Sequence, residues 1–146
     1  MSLRISKHYT IDANIYEVWK FISNLDMIAR CIPDLEDIDI KDSTLKGKVR
    51  SRFSFIKGKI DIESSILDSK ENEHLEVSIR GKTIGSSFII IMDIDLSYNT
   101  STTLNITMNI DTHGLLKHIP NSLIYKIVDD LGSDMLRCIK DSLECK

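Results

Sequence analysis

The sequence predicts an α+β protein in which a curved antiparallel sheet of seven strands wraps around a long C-terminal helix. Three observations support this prediction. Apolar and polar residues alternate along most of residues 35–111, as is typical of strands with one buried face. Apolar residues recur at helical spacing in residues 14–22 and again near the end of the chain. Isoleucine, whose β-branched side chain favours strands, occurs 24 times among 146 residues.

The N-terminal part predicts one strand followed by two short helices. Residues 3–11 alternate and predict the strand. Asp12-Ala13-Asn14 then offers side chains that cap a helix over residues 14–22. Asp26 is the candidate cap of a second helix over residues 26–31.

Six further strands and one long helix follow. Short polar turns separate the strands, which predicts an antiparallel meander. The strands are expected at residues 35–41, 45–55, 59–69, 73–82, 86–98 and 102–111. A continuous apolar stripe from Leu123 to Ile139 then predicts a helix over residues 120–144, about 37 Å long. The order is therefore β-α-α-β6-α, and we expect one domain over residues 1–146.

A ligand pocket is expected between the sheet and the long helix, because a large twisted sheet that curves around one helix tends to leave a hollow. Ser51 and Ser64 would be its polar groups, and Met92 and Met108 adaptable apolar ones. Gly132 either allows the helix to approach the sheet or leaves room for a ligand. A fully packed core at these positions is the alternative. The candidate pocket residues are Ser51, Phe53, Phe55, Ser64, Ile90, Met92, Met108, Ile127, Leu131 and Gly132.

Four cations share one face of a predicted strand: Lys46, Lys48, Arg50 and Arg52. Folding the neighbouring hairpins places Asp39 near Lys48, Asp37 near Arg50, Asp61 near Arg52 and Glu63 near Arg50. Cross-strand pairs of opposite charge stabilise a solvent-exposed sheet face by about 0.2–1 kcal/mol each. The pattern favours a structural ladder of ion pairs, and an anion-binding site is the alternative.

Catalytic and metal-binding patterns are missing from the sequence. The four histidines have no second ligand at metal-binding spacing, so no metal or other cofactor is expected. Asp93 and Asp95 share one strand face, where solvent-facing acids are favoured over an acid–base pair. The cysteines at positions 31, 138 and 145 form no CxxC pair, and we expect unbonded thiols in a reducing cytoplasm.

Charge and hydropathy exclude several functional classes. The net charge of −3 is unlike that of nucleic-acid-binding proteins, which normally carry a basic surplus. The longest uncharged apolar run, Phe88 to Met92, is far shorter than the roughly 20 residues of a membrane span. No N-terminal segment has the pattern of a signal peptide, so a cytoplasmic location is expected.

Four segments resemble those of a known family. Residues 12–21 resemble the opening strand-to-helix turn of the START-like (SRPBCC) superfamily, including its Val-Trp pair at Val18-Trp19. Cys31-Ile32-Pro33-Asp34 lies where the carbon monoxide dehydrogenase CoxG family has Cys-Ile-Pro-Gly. Thr102-Thr103-Leu104 is similar to the Thr-x-Leu of its last strand, and residues 111–116 resemble the stretch before its last helix.

The resemblance implies the helix-grip fold and a cavity for a lipid-like or quinone-like molecule. It further implies an accessory or recruitment role beside a molybdenum-containing carbon monoxide dehydrogenase-like enzyme. Dehydrogenase subunits are then possible partners, as is peripheral membrane contact without a membrane anchor. Two alternatives remain: a polyketide cyclase- or hydratase-like enzyme on the same fold, and a protein-interaction module. Asp34 replaces the family's glycine, so a left-handed turn there would be mildly strained, although Asp tolerates it.

Overall fold

The computed structural model describes residues 2–51 and 58–144. It contains seven strands, three α-helices and a short 3₁₀ helix at Leu115–His118. The strands are β1 (Ser2–Ile11), β2 (Glu36–Lys41), β3 (Thr44–Arg50), β4 (Lys59–Lys70), β5 (His74–Thr83), β6 (Ser86–Asn99) and β7 (Ser101–Gly114). The α-helices are α1 (Ile15–Ile22), α2 (Leu25–Ala29) and α3 (Asn121–Glu144). Phe53 and Phe55, two of the predicted pocket residues, lie outside the described residues.

All seven strands belong to one antiparallel sheet with the order β1-β7-β6-β5-β4-β3-β2. The apolar faces of α1 and α3 pack on the inner face of this sheet, together with residues from β1, β6 and β7. This architecture confirms the predicted helix-grip fold and the order β-α-α-β6-α. The sheet has two ends: α1, α2 and the end of α3 lie at one, and the β5–β6 turn and the start of α3 lie at the other.

The two short helices begin with asparagine caps. The side chain of Asn14 accepts a hydrogen bond from the backbone N–H of Glu17, as the sequence predicts. The second cap is Asn24, whose Oδ1 accepts from the N–H groups of Asp26 and Met27 at 2.9 and 3.3 Å. The assignment of Asp26 as the cap is therefore wrong, because Asp26 already lies in the first turn of α2.

Asp34 has a φ of 60°, so the backbone is left-handed at the position where the resembling family has glycine. The same left-handed conformation occurs at both residues of the β2–β3 turn, Asp42 and Ser43. Lys41 pairs with Thr44 across them, so the hairpin has a two-residue turn.

The length of this turn shows that the predicted ion pairs between β2 and β3 are wrong. Asp39 lies opposite Lys46, not Lys48, because the turn contains two residues and shifts the β2–β3 register by two. The β3–β4 register is likewise displaced: Lys48 faces Asp61, and Arg50 faces Lys59 instead of Glu63. Asp37 lies within the register shift between Glu36 and Asp39 and is not paired with Arg50. Arg52 lies outside the described residues.

The shifted register produces two rows of alternating charge across four strands of the outer face. One row runs Glu36, Lys48, Asp61, Lys82, and the other runs Asp39, Lys46, Glu63, Arg80. Lys48 Nζ lies 3.9 Å from Asp61 Oδ1, and Lys59 forms an ion pair with Glu36. Lys46 and Lys48 each stand between two acids, which supports a structural ladder over an anion site.

Candidate ligand-binding groove

Helix α3 is held to strand β1 along one flank. Lys7, on the inner face of β1, forms an ion pair with Asp129 of α3. The hydrogen bond to Asp129 raises the pKa of the Lys7 ammonium above its usual value. Three residues further along α3, Gly132 faces the side chain of Tyr9, and burial raises the pKa of that phenol. Because side chains alternate along β1, Lys7 lies on the same face as Ile5 and Tyr9. This alternation is the feature of the sequence that indicates a lysine facing inward.

The apolar core is divided into two clusters at opposite ends of the sheet. One contains residues of α1, Cys31, Leu104 and Ile139. The other contains Leu3 and Ile5 with the 3₁₀ helix and Ile124. Met92 and Ile106 pack against both clusters and join them. Met92 and Ile106 thus mark the middle of the inner face.

Six apolar residues of this middle region belong to neither cluster within the described part of the chain, and all are half-buried: Val49, Ile62, Ile79, Ile127, Leu131 and Met135. The first three are on the inner face of β3, β4 and β5. The other three are on α3, where Ile127 and Leu131 project from the flank opposite Asp129 and Gly132, at 100° per residue. We call the space between these two sets of residues the inner groove.

The predicted pocket residues of β4, β6 and β7 lie on the inner face of the sheet. Ile90 lies beside Ile79, and Met92 lies directly opposite Met108, which is buried. Ser64 lies between Ile79 and Leu45 in the same row of the inner face. Ser51 follows β3, and its N–H donates to the Gly58 carbonyl at 3.2 Å. The structure thus brings Ile90, Met92, Met108, Ser64, Ile127 and Leu131 to one inner surface.

Gly132 does not line the inner groove. A Cβ atom built on this residue would lie 2.5 Å from the Tyr9 hydroxyl oxygen, so Tyr9 occupies the space beside it. Of the two explanations that the sequence leaves open, the structure supports the close approach of α3 to the sheet. The absence of a side chain at Gly132 allows this contact.

Cys31 and Cys138 are joined by a disulfide with a Cα–Cα distance of 5.4 Å, across 107 residues of sequence. The expectation of unbonded thiols is therefore wrong for these two residues. Cys31 follows α2 and Cys138 lies on α3, so their proximity depends on how the helices pack and leaves no local pattern in the sequence. Cys145 lies outside the described residues.

Two segments without acidic residues meet at the end of the fold where α3 begins, and both carry exposed apolar side chains. Ile84, in the β5–β6 turn, is 96% exposed, and Leu115 is 52% exposed. The two segments are in contact, since the Leu115 N–H donates to the Gly85 carbonyl at 3.1 Å. Neither residues 77–92 nor residues 112–128 contain Asp or Glu, although the whole chain carries a net charge of −3.

The outer face has a histidine–carboxylate cluster that sequence analysis missed. His74 Nδ1 lies 2.8 Å from Asp95 Oδ1, and its Nε2 lies 3.5 Å from Asp93 Oδ1. The hydrogen bond to Asp95 raises the pKa of His74, and the charges of Asp95, Asp93 and Asp68 add to the effect. Strand register brings these side chains together, with His74 directly opposite Asp95. They lie on the face opposite the inner groove.

A shallow depression of about 510 Å³ on the outer face lies nearer the end of the sheet where α3 begins. The two rows of alternating charge and Ile89 line this depression.

Comparison with protein families matches residues 8–144 to the carbon monoxide dehydrogenase CoxG family. The chain belongs to this family. The match covers the strand-to-helix turn, Cys31-Ile32-Pro33 and the whole of α3, and it confirms the resemblance seen in the sequence. No curated protein sequence matches this CoxG-family chain.

Solved structures share the fold of the CoxG-family protein at low sequence identity. A conserved protein from Geobacillus kaustophilus is 19% identical, with a TM-score of 0.86 over 96% of this chain and 94% of that one. A START superfamily protein from Mycobacterium smegmatis is 12% identical, with a TM-score of 0.74 over 97% of each chain. The di-domain ARO/CYC BexL, from the BE-7585A biosynthetic pathway, is 12% identical, with a TM-score of 0.71 over 99% of this chain and 51% of that one.

Among the described residues of the CoxG-family protein, no helix has the length and hydropathy needed to cross a membrane. The same residues contain no group of three or more His, Cys, Asp or Glu side chains that could hold a metal ion.

Proposed function

We propose that this CoxG-family protein binds a hydrophobic small molecule, lipid-like or quinone-like, in the inner groove and does not transform it. The observation that carries the proposal is the set of six half-buried apolar residues that belong to neither core cluster. Binding sites for such molecules are usually concave and apolar, with few polar groups. Ser51 and Ser64 would supply polar contacts to the ligand, and Phe53 and Phe55 would supply apolar contacts. The domain over residues 1–146 would act as a single binding unit.

Bulky substitutions on the two faces of one strand test the proposal. Ile90 lies on the inner face of β6, and its neighbour Ile91, also half-buried, lies on the outer face. A long-chain naphthoquinone, titrated by isothermal titration calorimetry, should bind the parent protein with a Kd of about 1 μM. Ile90→Trp should weaken binding at least tenfold, while Ile91→Trp should leave it unchanged. Equal effects of the two variants, or no binding by the parent protein, would refute the proposal.

The two acid-free segments at the end of the fold where α3 begins suit contact with an anionic lipid surface, through which a hydrophobic ligand would be exchanged. Ile84 and Leu115 would enter the interface, and Lys82, Lys117 and Lys126 would face the lipid phosphates. Co-sedimentation with phosphatidylglycerol vesicles measures this contact. Ile84→Asp should abolish it, whereas Leu67→Asp, at a residue that is 52% exposed on β4, should not. Loss of binding in both variants would argue against a specific contact surface.

The name of the family suggests the partner. We propose that the protein serves a molybdenum-containing carbon monoxide dehydrogenase-like enzyme as an accessory or recruitment protein in the cytoplasm. Purified enzyme should be retained by the immobilised protein, and retention should be unaffected by Ile91→Trp. Failure of direct binding between the two purified proteins would contradict this role.

The fold shared with BexL makes a cyclase-like enzyme the second candidate. Such an enzyme needs acid–base groups beside its substrate. Among the described residues, the titratable side chains on the inner surface include Lys7, Tyr9 and Asp129, on the flank of α3 away from the inner groove. An aromatic polyketide that is turned over by the parent protein, but not by Asp129→Asn, would favour this candidate.

A further inference from the structure

We propose that the Cys31–Cys138 disulfide is a redox-controlled latch that sets how far α3 can move from the sheet, and thereby how fast a ligand leaves the inner groove. This inference rests on the proposed ligand-binding function. Cys138 lies seven residues after Leu131, two helical turns along the same flank, about 10 Å away along the axis. The covalent link is therefore on the flank that borders the inner groove.

The opposite flank of α3 is held by different contacts. Asp129 forms an ion pair with Lys7, and Gly132 contacts Tyr9, so this flank is attached to β1 without a covalent bond. The disulfide ties the groove flank to Cys31, just after α2. With both flanks held, α3 cannot rotate away from the sheet. With the disulfide reduced, β1 becomes a hinge about which the groove flank can open.

The contacts that remain at the end of α3 after reduction are non-covalent. Ile139 is buried in the cluster with Leu104, and the Glu144 carboxylate accepts a hydrogen bond from the Asp12 N–H at 3.0 Å. Local opening of such a segment costs less free energy than global unfolding. The reduced protein thus has a route for ligand exchange that leaves the sheet folded.

The chemistry is thiol–disulfide exchange with a dithiol reductant. A thiolate of the reductant attacks Cys138 Sγ, because Cys138 is half-buried while Cys31 is only 4% exposed. The S–S bond breaks, Cys31 leaves as a thiolate, and a mixed disulfide forms at Cys138. The second thiol of the reductant then displaces Cys138. Two electrons pass to the protein, the reductant leaves as its own disulfide, and the two cysteine thiolates take up protons according to their pKa values.

The first experiment establishes the latch without any ligand. Cys145→Ser is introduced into every variant so that Cys31 and Cys138 are the remaining cysteines. Peptide mapping under non-reducing conditions should recover the linked peptides. Hydrogen exchange in residues 135–143 should then accelerate at least tenfold on reduction with dithiothreitol, while exchange in residues 124–129 should change less than twofold. Free thiols in the air-oxidised protein, or equal exchange in both redox states, would overturn the proposal.

The second experiment measures ligand release. N-phenyl-1-naphthylamine is loaded, and its dissociation is followed by stopped-flow fluorescence with and without dithiothreitol. Release should be at least tenfold faster from the reduced protein. The variant with Cys31→Ser and Cys138→Ser should release the probe fast in both conditions. Equal rates in the two redox states would overturn the proposal. If the probe binds neither form, the proposed ligand function fails, whereas the hydrogen-exchange result still decides whether the latch exists.

Discussion

The hydroxyl of Tyr9 occupies the space that a side chain at Gly132 would need, with 2.5 Å between the Tyr9 oxygen and a Cβ built on Gly132. Tyr9 Cζ would be 3.5 Å from the same position, an ordinary contact. A methyl group at residue 132 therefore requires the Tyr9 hydroxyl to shift. As a consequence, Gly132→Leu would test the packing of α3 on β1 and not the filling of a ligand pocket.

A double-mutant cycle checks this relationship. Gly132→Ala should destabilise the parent protein, because overpacking costs about 1–3 kcal/mol and outweighs the helix propensity gained, about 1 kcal/mol. In a Tyr9→Phe background the same substitution should be neutral or stabilising, because the clash is absent. Urea unfolding of the four proteins measures the free energies. An identical effect of Gly132→Ala in both backgrounds would contradict the contact.

Gly81 should be equally sensitive to a methyl group. A Cβ at Gly81 would overlap Cε2 of Phe88, whose ring covers Gly81 from the neighbouring strand. Gly81→Ala should therefore lower the free energy of unfolding by about 1–3 kcal/mol. In a Phe88→Ala background, Gly81→Ala should cost much less. Thermal or urea unfolding distinguishes these outcomes, and a fully tolerated single substitution would show that the ring can move aside freely.

His74 should make stability depend on pH. Its pKa is raised in the folded protein by Asp95 and Asp93. Protonated His74 contributes fully to the free energy of unfolding below the imidazole pKa of the unfolded chain, about 6.5. This contribution is lost as the pH rises through the higher pKa of His74 in the folded protein. NMR titration of the imidazole should give a raised pKa that Asp95→Asn lowers. The loss of stability across that pH window should also be smaller in Asp95→Asn, and an unchanged pH dependence would contradict the prediction.

The ion pairs of the outer face should each contribute little. The side chains of Lys48 and Asp61 are 48% and 69% exposed, and their charged atoms are 3.9 Å apart. Solvent screening limits such pairs, so Lys48→Ala should change stability by less than about 1 kcal/mol. The coupling energy between Lys48→Ala and Asp61→Ala should be of the same size and should shrink in high salt. A loss of several kcal/mol would indicate a role beyond surface pairing.

Reduction of the disulfide should lower global stability as well as release α3. The bond links residues that are 107 positions apart. In the chain-entropy account, a closed loop of roughly 100 residues stabilises the folded state by about 4–5 kcal/mol. Unfolding monitored with and without a reductant should show a difference of this order. The cysteine-to-serine double variant provides the control, since a reductant should not change its stability.

Alternation and helical spacing were sufficient to predict the seven strands, the long helix and the faces that they bury. These features depend on periods of two residues for strands and 3.6 residues for helices. Such a period can be read from the sequence of each segment alone. Ile90, Met92 and Met108 were assigned to the inner surface on this basis, and the sheet register confirms that placement. The cap offered by Asp12-Ala13-Asn14 was predicted from a few adjacent residues, whereas the left-handed turn at Asp34 was considered because the family has glycine there.

Tertiary structure decided the partners that each residue contacts. The two-residue turn at Asp42 and Ser43 shifted the ion pairs by two positions, because register depends on exact turn length. The contacts of Gly132 with Tyr9 and of Cys31 with Cys138 join segments more than 100 residues apart. Such proximity follows from how α3 packs across the sheet, and the sequence of either segment alone contains no sign of it. The sequence therefore determined which surfaces are apolar, and only the packing of α3 decided which residues contact one another across the fold.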